Sequence, residues 1–328
     1  MKKIFGYFFI IIINYLLLSF FVFTFSYLSL INNKTYDLLW VKYIQKKLYF
    51  SGLRNLWNID PKCSKFDKNL LYAPVVGECI FSNPEFITKL NFDENRRLNL
   101  TDDNISKSEK VIAALGDSLT MGWGVNDDET YSFNLQKLVK KKILNLGVAS
   151  YGTVREIKRL KLNKFYDQID TVIIQYHLND IAENKNLDIN KTYSQEEYEK
   201  FFISKENNLN IVIFLLKNYK KSLRLLFSHL NDLFFENDRK EKHNLTEHLD
   251  NLEKVINQNL KGEGKRVIVF LINEPHQKLI YDEKRVFSDF EFFIIDIKKE
   301  HLFIIDDHLN KKGHKFVGKQ IFDYLSRN

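Results

Sequence analysis

Proline, cysteine and N-terminal alanine are what this sequence has little of: four prolines and two cysteines in 328 residues, and no alanine before Ala73. So few prolines, beside 14% aromatic residues and 28 Phe, exclude a globally disordered chain. There are no internal repeats or low-complexity linkers. Two cysteines, Cys63 and Cys79, allow one short disulfide loop in an oxidising compartment; the alternative is a pair of unrelated free thiols. The missing alanine bears on the N-terminus. Ile4 to Ile31 carries no charge and is dominated by Phe, Ile, Leu and Tyr. Only scattered serines there offer a small residue to a signal peptidase. As a helix the run would span about 42 Å at roughly 1.5 Å per residue, against a hydrocarbon core of roughly 30 Å. The run reads as an uncleaved signal anchor rather than a secretory signal peptide.

Charge of one sign is also lacking. The net charge of +7 is the difference between 49 basic and 42 acidic residues, interspersed along the chain. It reads as a solvated surface rich in Lys, and with no nucleic-acid-binding motif no nucleic-acid partner is expected. Lys2 and Lys3 favour a cytoplasmic N-terminus, although Lys34, Lys42, Lys46 and Lys47 on the other flank blur the asymmetry. The expectation is a single-pass membrane protein whose large domain is extracytoplasmic (periplasmic).

Three segments follow: a signal anchor over 1–34, a membrane-proximal segment with a small module over 35–108, and an α/β domain over 109–328. Tyr36 to Phe50 reads as an interfacial amphipathic stretch, or as the first helix of the soluble domain. Within the α/β domain, strands are predicted at Val111–Leu115, Ile143–Val148, Thr171–Tyr176, Lys265–Ile272 and Leu302–Ile305. Helices are predicted at Tyr131–Lys142, Val154–Asn163 and Lys311–Ser326. Alternating strands and helices imply a parallel sheet. An insertion at about 182–264 carries no strand signal and has helical patterns at Leu209–Phe235 and Leu245–Leu260. Its apolar part, Ile211 to Phe235, reads as an ordinary insertion burying its own stripe, or as a lid or membrane-apposed face.

Chemistry-bearing residues fall just past these strands. Gly116-Asp117-Ser118 follows the first, Asn179-Asp180 the third, and Asp306-Asp307-His308 the fifth. A serine hydroxyl needs a base, itself oriented by a third group, to act as a nucleophile. Ser118 is the candidate nucleophile. His308 is the candidate base, because an acidic pair precedes it; His314 reads as structural. Asn179 can donate a side-chain hydrogen bond to an oxyanion, and the loop Gly147 to Gly152 a backbone N–H. The rival chemistry is a metal centre using Asp306, Asp307, His308 and His314, which would leave Ser118 and Asn179 unexplained.

Over Lys110 to Tyr324 the sequence resembles the SGNH (GDSL-type) hydrolases. Gly116-Asp117-Ser118-Leu119 matches their serine motif, Asn179-Asp180 their Asn-Asp motif, and Asp306-Asp307-His308 their acid-and-histidine motif. The resemblance implies a flavodoxin-like three-layer αβα sandwich around a five-stranded parallel sheet, with Ser118 as nucleophile, His308 as base and Asn179 as oxyanion donor. It implies no cofactor and no resident metal. Three departures stand out. Ser150 occupies the family's oxyanion glycine, with Gly147 and Gly152 as alternative donors. His177 stands where glycine is common. Ile305 stands where the acid usually lies, so Asp306, or else Asp307, must serve. The function implied is a membrane-anchored esterase acting on an ester-bearing glycan or glycolipid, O-acetyl groups above all, with lipid acyl esters next. An O-acyltransferase using the same Ser118 and a non-catalytic envelope protein are the other classes.

Overall fold

The computed structural model describes residues 2–99, 105–186, 188–205, 216–219 and 241–327. Helix α1 (Lys2–Ile31) contains a 26-residue apolar stretch, Gly6–Ile31, with an 18-residue window of mean hydropathy 2.5, which by length and composition is able to cross a membrane. Ser19, Ser26 and Ser29 return their hydroxyls to the carbonyls four residues back, so these polar groups travel with their own acceptors. The last turns of α1 are not bare: Phe23 and Leu30 are buried against Ile44, Leu48, Tyr49 and Ile305. Tyr36 to Phe50 therefore contains a helix, α2 (Leu39–Leu48), that packs on α1 and continues into a π turn at Tyr49–Leu53.

Two hairpins follow. Strand β1 (Ser64–Asp67) pairs antiparallel with β2 (Leu71–Pro74), and β3 (Gly77–Asn83) with β4 (Phe86–Phe92). Alternation in β4 buries Phe86, Thr88, Leu90 and Phe92 and exposes Ile87 and Lys89, as a half-buried strand requires. Cys63 and Cys79 are both buried and disulfide-bonded, with Cα atoms 5.2 Å apart. Trp57, Cys63, Tyr72, Cys79, Phe81 and Phe92 share one apolar cluster with Trp123, Val148 and Tyr151. Among its described residues the 35–108 segment thus forms no core of its own: the hairpins pack on loops of the α/β unit, and α2 packs on α1 and Ile305.

That unit starts with β5 (Val111–Leu115), five apolar residues that are all buried. A short helical turn α3 (Ser118–Met121), helix α4 (Tyr131–Val139), β6 (Ile143–Asn145), α5 (Thr153–Lys161) and β7 (Ile169–Tyr176) follow. After α6 (Asp180–Asn186) and α7 (Gln195–Lys205) come β8 (Glu241–Asn244), α8 (Thr246–Asn259), β9 (Arg266–Asn273), β10 (Gln277–Ile280), β11 (Glu291–Asp296) and α9 (Lys311–Leu325). The five-stranded sheet runs β6-β5-β7-β9-β11 with every neighbouring pair parallel. This is the flavodoxin-like order, with the topological switch point between β5 and β7. One face packs Ala113, Leu115 and Val172 against Val154, Ile157, Leu252 and Ile256 of α5 and α8. The other packs Ile112, Ala114 and Phe270 against Tyr131, Leu135, Val317 and Ile321 of α4 and α9. Three layers result.

Two expectations need correction. The fifth strand is not Leu302–Ile305 but β11, whose register on β9 runs from Glu291↔Ile268 to Asp296↔Asn273. Leu302–Ile305 is not free to join the sheet, because the N–H groups of Ile304, Ile305 and Asp306 all donate to the Glu85 carboxylate at 2.7–2.9 Å. The insertion also does hold a strand: β8 pairs parallel with β10, and its alternation is too short and too charged to show in the sequence. Most of Leu209–Phe235 lies outside the described residues. At 216–219 the chain is helical, and Tyr219 meets Phe20 and Phe23 of α1 edge-on, at 6.1 and 5.6 Å.

The disulfide closes a loop of sixteen residues, worth about 3 kcal/mol in the chain-entropy account. We expect the Cys63→Ser/Cys79→Ser double variant to lose about 3 kcal/mol of unfolding free energy, measured by denaturant unfolding. Thiol reagents should find no reactive cysteine in the folded, unreduced protein. Two freely reactive thiols would refute the bridge.

Candidate active site

The position of Ser118, the candidate nucleophile, begins with a turn that only glycine can make. Gly116 sits at φ +151°, and a Cβ there would lie 2.1 Å from Thr120 Oγ1. The turn carries Asp117 into a buried N-cap, its carboxylate accepting from Leu119 N at 2.9 Å, and leaves Ser118 half-exposed at the start of α3. Asn145, at the end of β6, donates to Thr120 O at 2.9 Å and Ser132 Oγ at 3.1 Å, tying the second strand to this turn. Arg97 clamps the residues that follow. Its buried guanidinium pairs with Asp127 at 2.7 Å and donates to the carbonyls of Met121, Gly122 and Val125.

The loop Phe303–Asn310 brings His308, the candidate base, to this turn. His308 Nε2 stands 2.7 Å from Ser118 Oγ, and Nδ1 meets Asp306 Oδ1. Asp306 is 2% exposed, and its other oxygen, Oδ2, accepts from Trp123 Nε1 at 3.1 Å and from the Tyr49 hydroxyl. The Arg54 guanidinium lies 3.7 Å from the same oxygen and 4.7 Å from the centre of the Trp123 ring, and that ring stacks on His308 at 4.8 Å between centroids. Burial by itself would raise the Asp306 carboxyl, but His308, Arg54 and the Tyr49 hydroxyl outweigh it and hold the group well below the ordinary carboxylate range. Of the two acids left open by the sequence, Asp307 turns away and pairs with Lys46.

Ser150, Asn179 and Ser118 line one cleft of about 360 Å³ with His308. Ser150 sits at φ +63°, the left-handed region that favours glycine, and its carbonyl is held by Arg155 Nη2 at 2.7 Å. Gly152 instead opens α5, and Gly147 packs on the backbone of Met121, where a Cβ would come within 2.2 Å of the amide nitrogen. Asn179 is exposed at the cleft edge, its backbone N–H donating to His177 Nδ1 at 3.3 Å. His177 lines the same cleft with Glu274, His276 and Asn58. The proposed metal ligands do not converge. His314 is buried, accepts from Tyr131 N at 3.2 Å, and is pushed down to about 3 by burial. Asp306, Asp307 and His308 have the partners given above.

Tyr49, Arg54, Glu85, Arg97 and Trp123 were not legible as site residues. Trp123, five residues after Ser118 in the run Met121-Gly122-Trp123-Gly124, carried the one usable signal, a bulky aromatic between glycines. The others lie in the 35–108 segment and reach the site only through tertiary packing.

No family model matches the chain, and no curated protein does. Among solved structures it is similar to the acetyl xylan esterase Est2A from the rumen bacterium Butyrivibrio proteoclasticus: 12% identity over 69% of this chain and 66% of that one, with a TM-score of 0.35. It is also similar to a family two carbohydrate esterase from Cellvibrio japonicus (12%, 68% and 62%, 0.33) and to AlinE4, an SGNH-hydrolase family esterase (17%, 51% and 60%, 0.26). Likenesses this distant carry no information about activity or substrate.

Near the Gly116-Asp117-Ser118 turn lies a second group of carboxyls. Glu156 and Asp180 are each 1% exposed, and Asp117 is 4%. Asp180 Oδ2 accepts from Thr153 Oγ1 at 3.0 Å, while its Oδ1 and both Glu156 oxygens accept nothing from the described protein atoms. Burial, then the neighbouring acids, raise Glu156 and Asp180 well above the usual range. The folded state therefore favours their protonated forms. That contribution is complete below the unfolded carboxyl pKa and is lost as pH rises through the raised folded values. Glu156→Gln removes one ionisation without removing volume. It should raise Tm by about 2–4 °C near pH 8, with the gain shrinking toward pH 5, as followed by thermal unfolding. Parallel Tm–pH curves for the two proteins would refute it.

Proposed function

We propose that this chain is a membrane-anchored serine esterase of the SGNH type that hydrolyses carboxylic esters on the extracytoplasmic side, O-acetyl groups on an envelope glycan or glycolipid being the favoured substrate. The observation that carries the reading is the array Ser118 Oγ–His308 Nε2 at 2.7 Å with Asp306 on Nδ1. His308 takes the Ser118 proton as Oγ attacks the ester carbonyl, and Asp306 fixes the tautomer and stabilises the imidazolium. The tetrahedral oxyanion is held by the N–H groups of Ser118 and Ser150 and the Asn179 amide. His308 then gives its proton to the leaving alkoxide. Water, activated by the same imidazole, resolves the acyl-enzyme.

The cleft supports a small acyl group on a polar alcohol. About 360 Å³ is shared between short apolar walls at Leu119 and Ala149 and a rim carrying His177, Glu274, His276 and Asn58, groups suited to sugar hydroxyls. Membrane attachment rests on the apolar α1, and the extracytoplasmic placement on the Cys63–Cys79 bridge.

Ser118→Ala should abolish turnover of p-nitrophenyl acetate and labelling by a fluorophosphonate probe while leaving Tm unchanged. Full activity in that variant would sink the proposal. Asn179→Ala should lower kcat by about 10²–10³-fold. Ser150→Gly should keep activity, since the donor is a backbone N–H. Across p-nitrophenyl esters from acetate to palmitate, turnover should fall with chain length; a preference for palmitate would replace the O-acetyl reading with a lipid one. With a glycan acceptor added, free acid is the expected product, and acylated acceptor would make the chain a transferase.

A further inference from the structure

The membrane-proximal segment makes closer contact with the catalytic loop than an anchor needs to. Four of its residues meet the loop 304–308 from different sides. Glu85, in the β3–β4 turn, takes three consecutive backbone N–H groups. Lys46, on α2, pairs with Asp307. Arg54 lies 3.7 Å from Asp306 and 3.3 Å from His308 Nδ1. Tyr49, at the junction of α2 and the π turn, gives its hydroxyl proton to Asp306 Oδ2. Its ring is 1% exposed, in the cluster that joins α1, α2 and Ile305.

Resting on the esterase reading above, we propose that Tyr49 is a positioning residue of the catalytic centre, and that through it the segment carrying the membrane helix sets the orientation of Asp306. A carboxylate bonded through one oxygen can rotate about its Cβ–Cγ bond. Asp306 needs Oδ1 on His308 Nδ1, so Oδ2 must be fixed independently. Two donors do this, Trp123 Nε1 from the nucleophile's loop and the Tyr49 hydroxyl from the membrane-proximal helix. The Trp123 indole cannot replace the phenol. Its ring is already held by contacts with both Arg54 and His308, and it has a single N–H, already given to Oδ2. Burial, Asp306 and the hydrogen bond between them raise the Tyr49 phenol far above its ordinary value, so it remains a donor at every working pH. Tyr49 does not touch the reacting atoms; it acts through Asp306 and then His308.

Tyr49→Phe in the full-length protein, in detergent micelles, keeps the ring in its apolar cluster and removes only the donor. The expected result is a fall in kcat for p-nitrophenyl acetate of about 10–100-fold, with KM within about twofold, since a hydrogen bond to a buried charged group is lost. The rate of fluorophosphonate labelling at Ser118 should fall in parallel. A readout independent of turnover is the downfield proton resonance of His308 Nδ1–H, assigned by its loss in His308→Gln. In Tyr49→Phe it should shift or broaden. An unchanged resonance in a folded Tyr49→Phe protein overturns the inference, as does an unchanged kcat. If the wild-type protein shows the resonance but neither hydrolyses the ester nor takes the probe, the esterase reading fails and the resonance alone judges Tyr49.

Discussion

A carboxylate removed from water needs partners, because burying an unpaired charge costs several kcal/mol. The Asp306 carboxylate, 2% exposed, is where this constraint bears hardest on the structure. It is met by His308, Trp123 and Tyr49 through hydrogen bonds, and by Arg54 through charge. Those partners come from three separate stretches of chain. Keeping one acid ionised beside an imidazole thus commits the N-terminal segment, the loop after the nucleophile and the C-terminal loop to a single arrangement.

The loop that carries Asp306 and His308 is irregular, so its shape has to be imposed from outside. Glu85 does this from the tip of a hairpin by gathering three adjacent N–H groups, and Asp306 itself accepts from His308 N at 3.1 Å. On the other side of the cleft, Arg97 holds the carbonyls of the loop after Ser118. Both clamps come from residues 85–97. The hairpins and the disulfide between Cys63 and Cys79 form the support on which the loops after Ser118 and before His308 rest, and their core is continuous with that of those loops.

The two groups of buried acids differ in their surroundings. Asp306 has cations and donors on every side and stays charged. Glu156 and Asp180, on the far side of the Gly116 turn, have few donors and favour their neutral forms. Glu156 and Asp180, if ionised, would oppose negative charge building on an ester bound at Ser118; in their neutral forms they do not.

The sheet was legible because it is buried on both faces: Val111–Leu115 and Thr171–Tyr176 are apolar runs, and period and length suffice to read them. The places of Ser118 and Asn179 were legible because both follow the ends of apolar strands, which are local features, whereas Asp306-Asp307-His308 lies in a loop ten residues past β11 and follows no strand end. The fifth strand was misplaced because β11 and Leu302–Ile305 have equally apolar sequences; only pairing with β9 on one side and capture by Glu85 on the other separates them. The meeting of Asp306 rather than Asp307 with His308, the left-handed backbone of Ser150 and the presence of Tyr49 and Arg54 beside Asp306 and His308 were decided by tertiary structure alone. Sequence periodicity reports which face of an element is apolar. It cannot report which partner a buried charge will find, because that depends on groups more than 250 residues apart, as Tyr49 and Asp306 are.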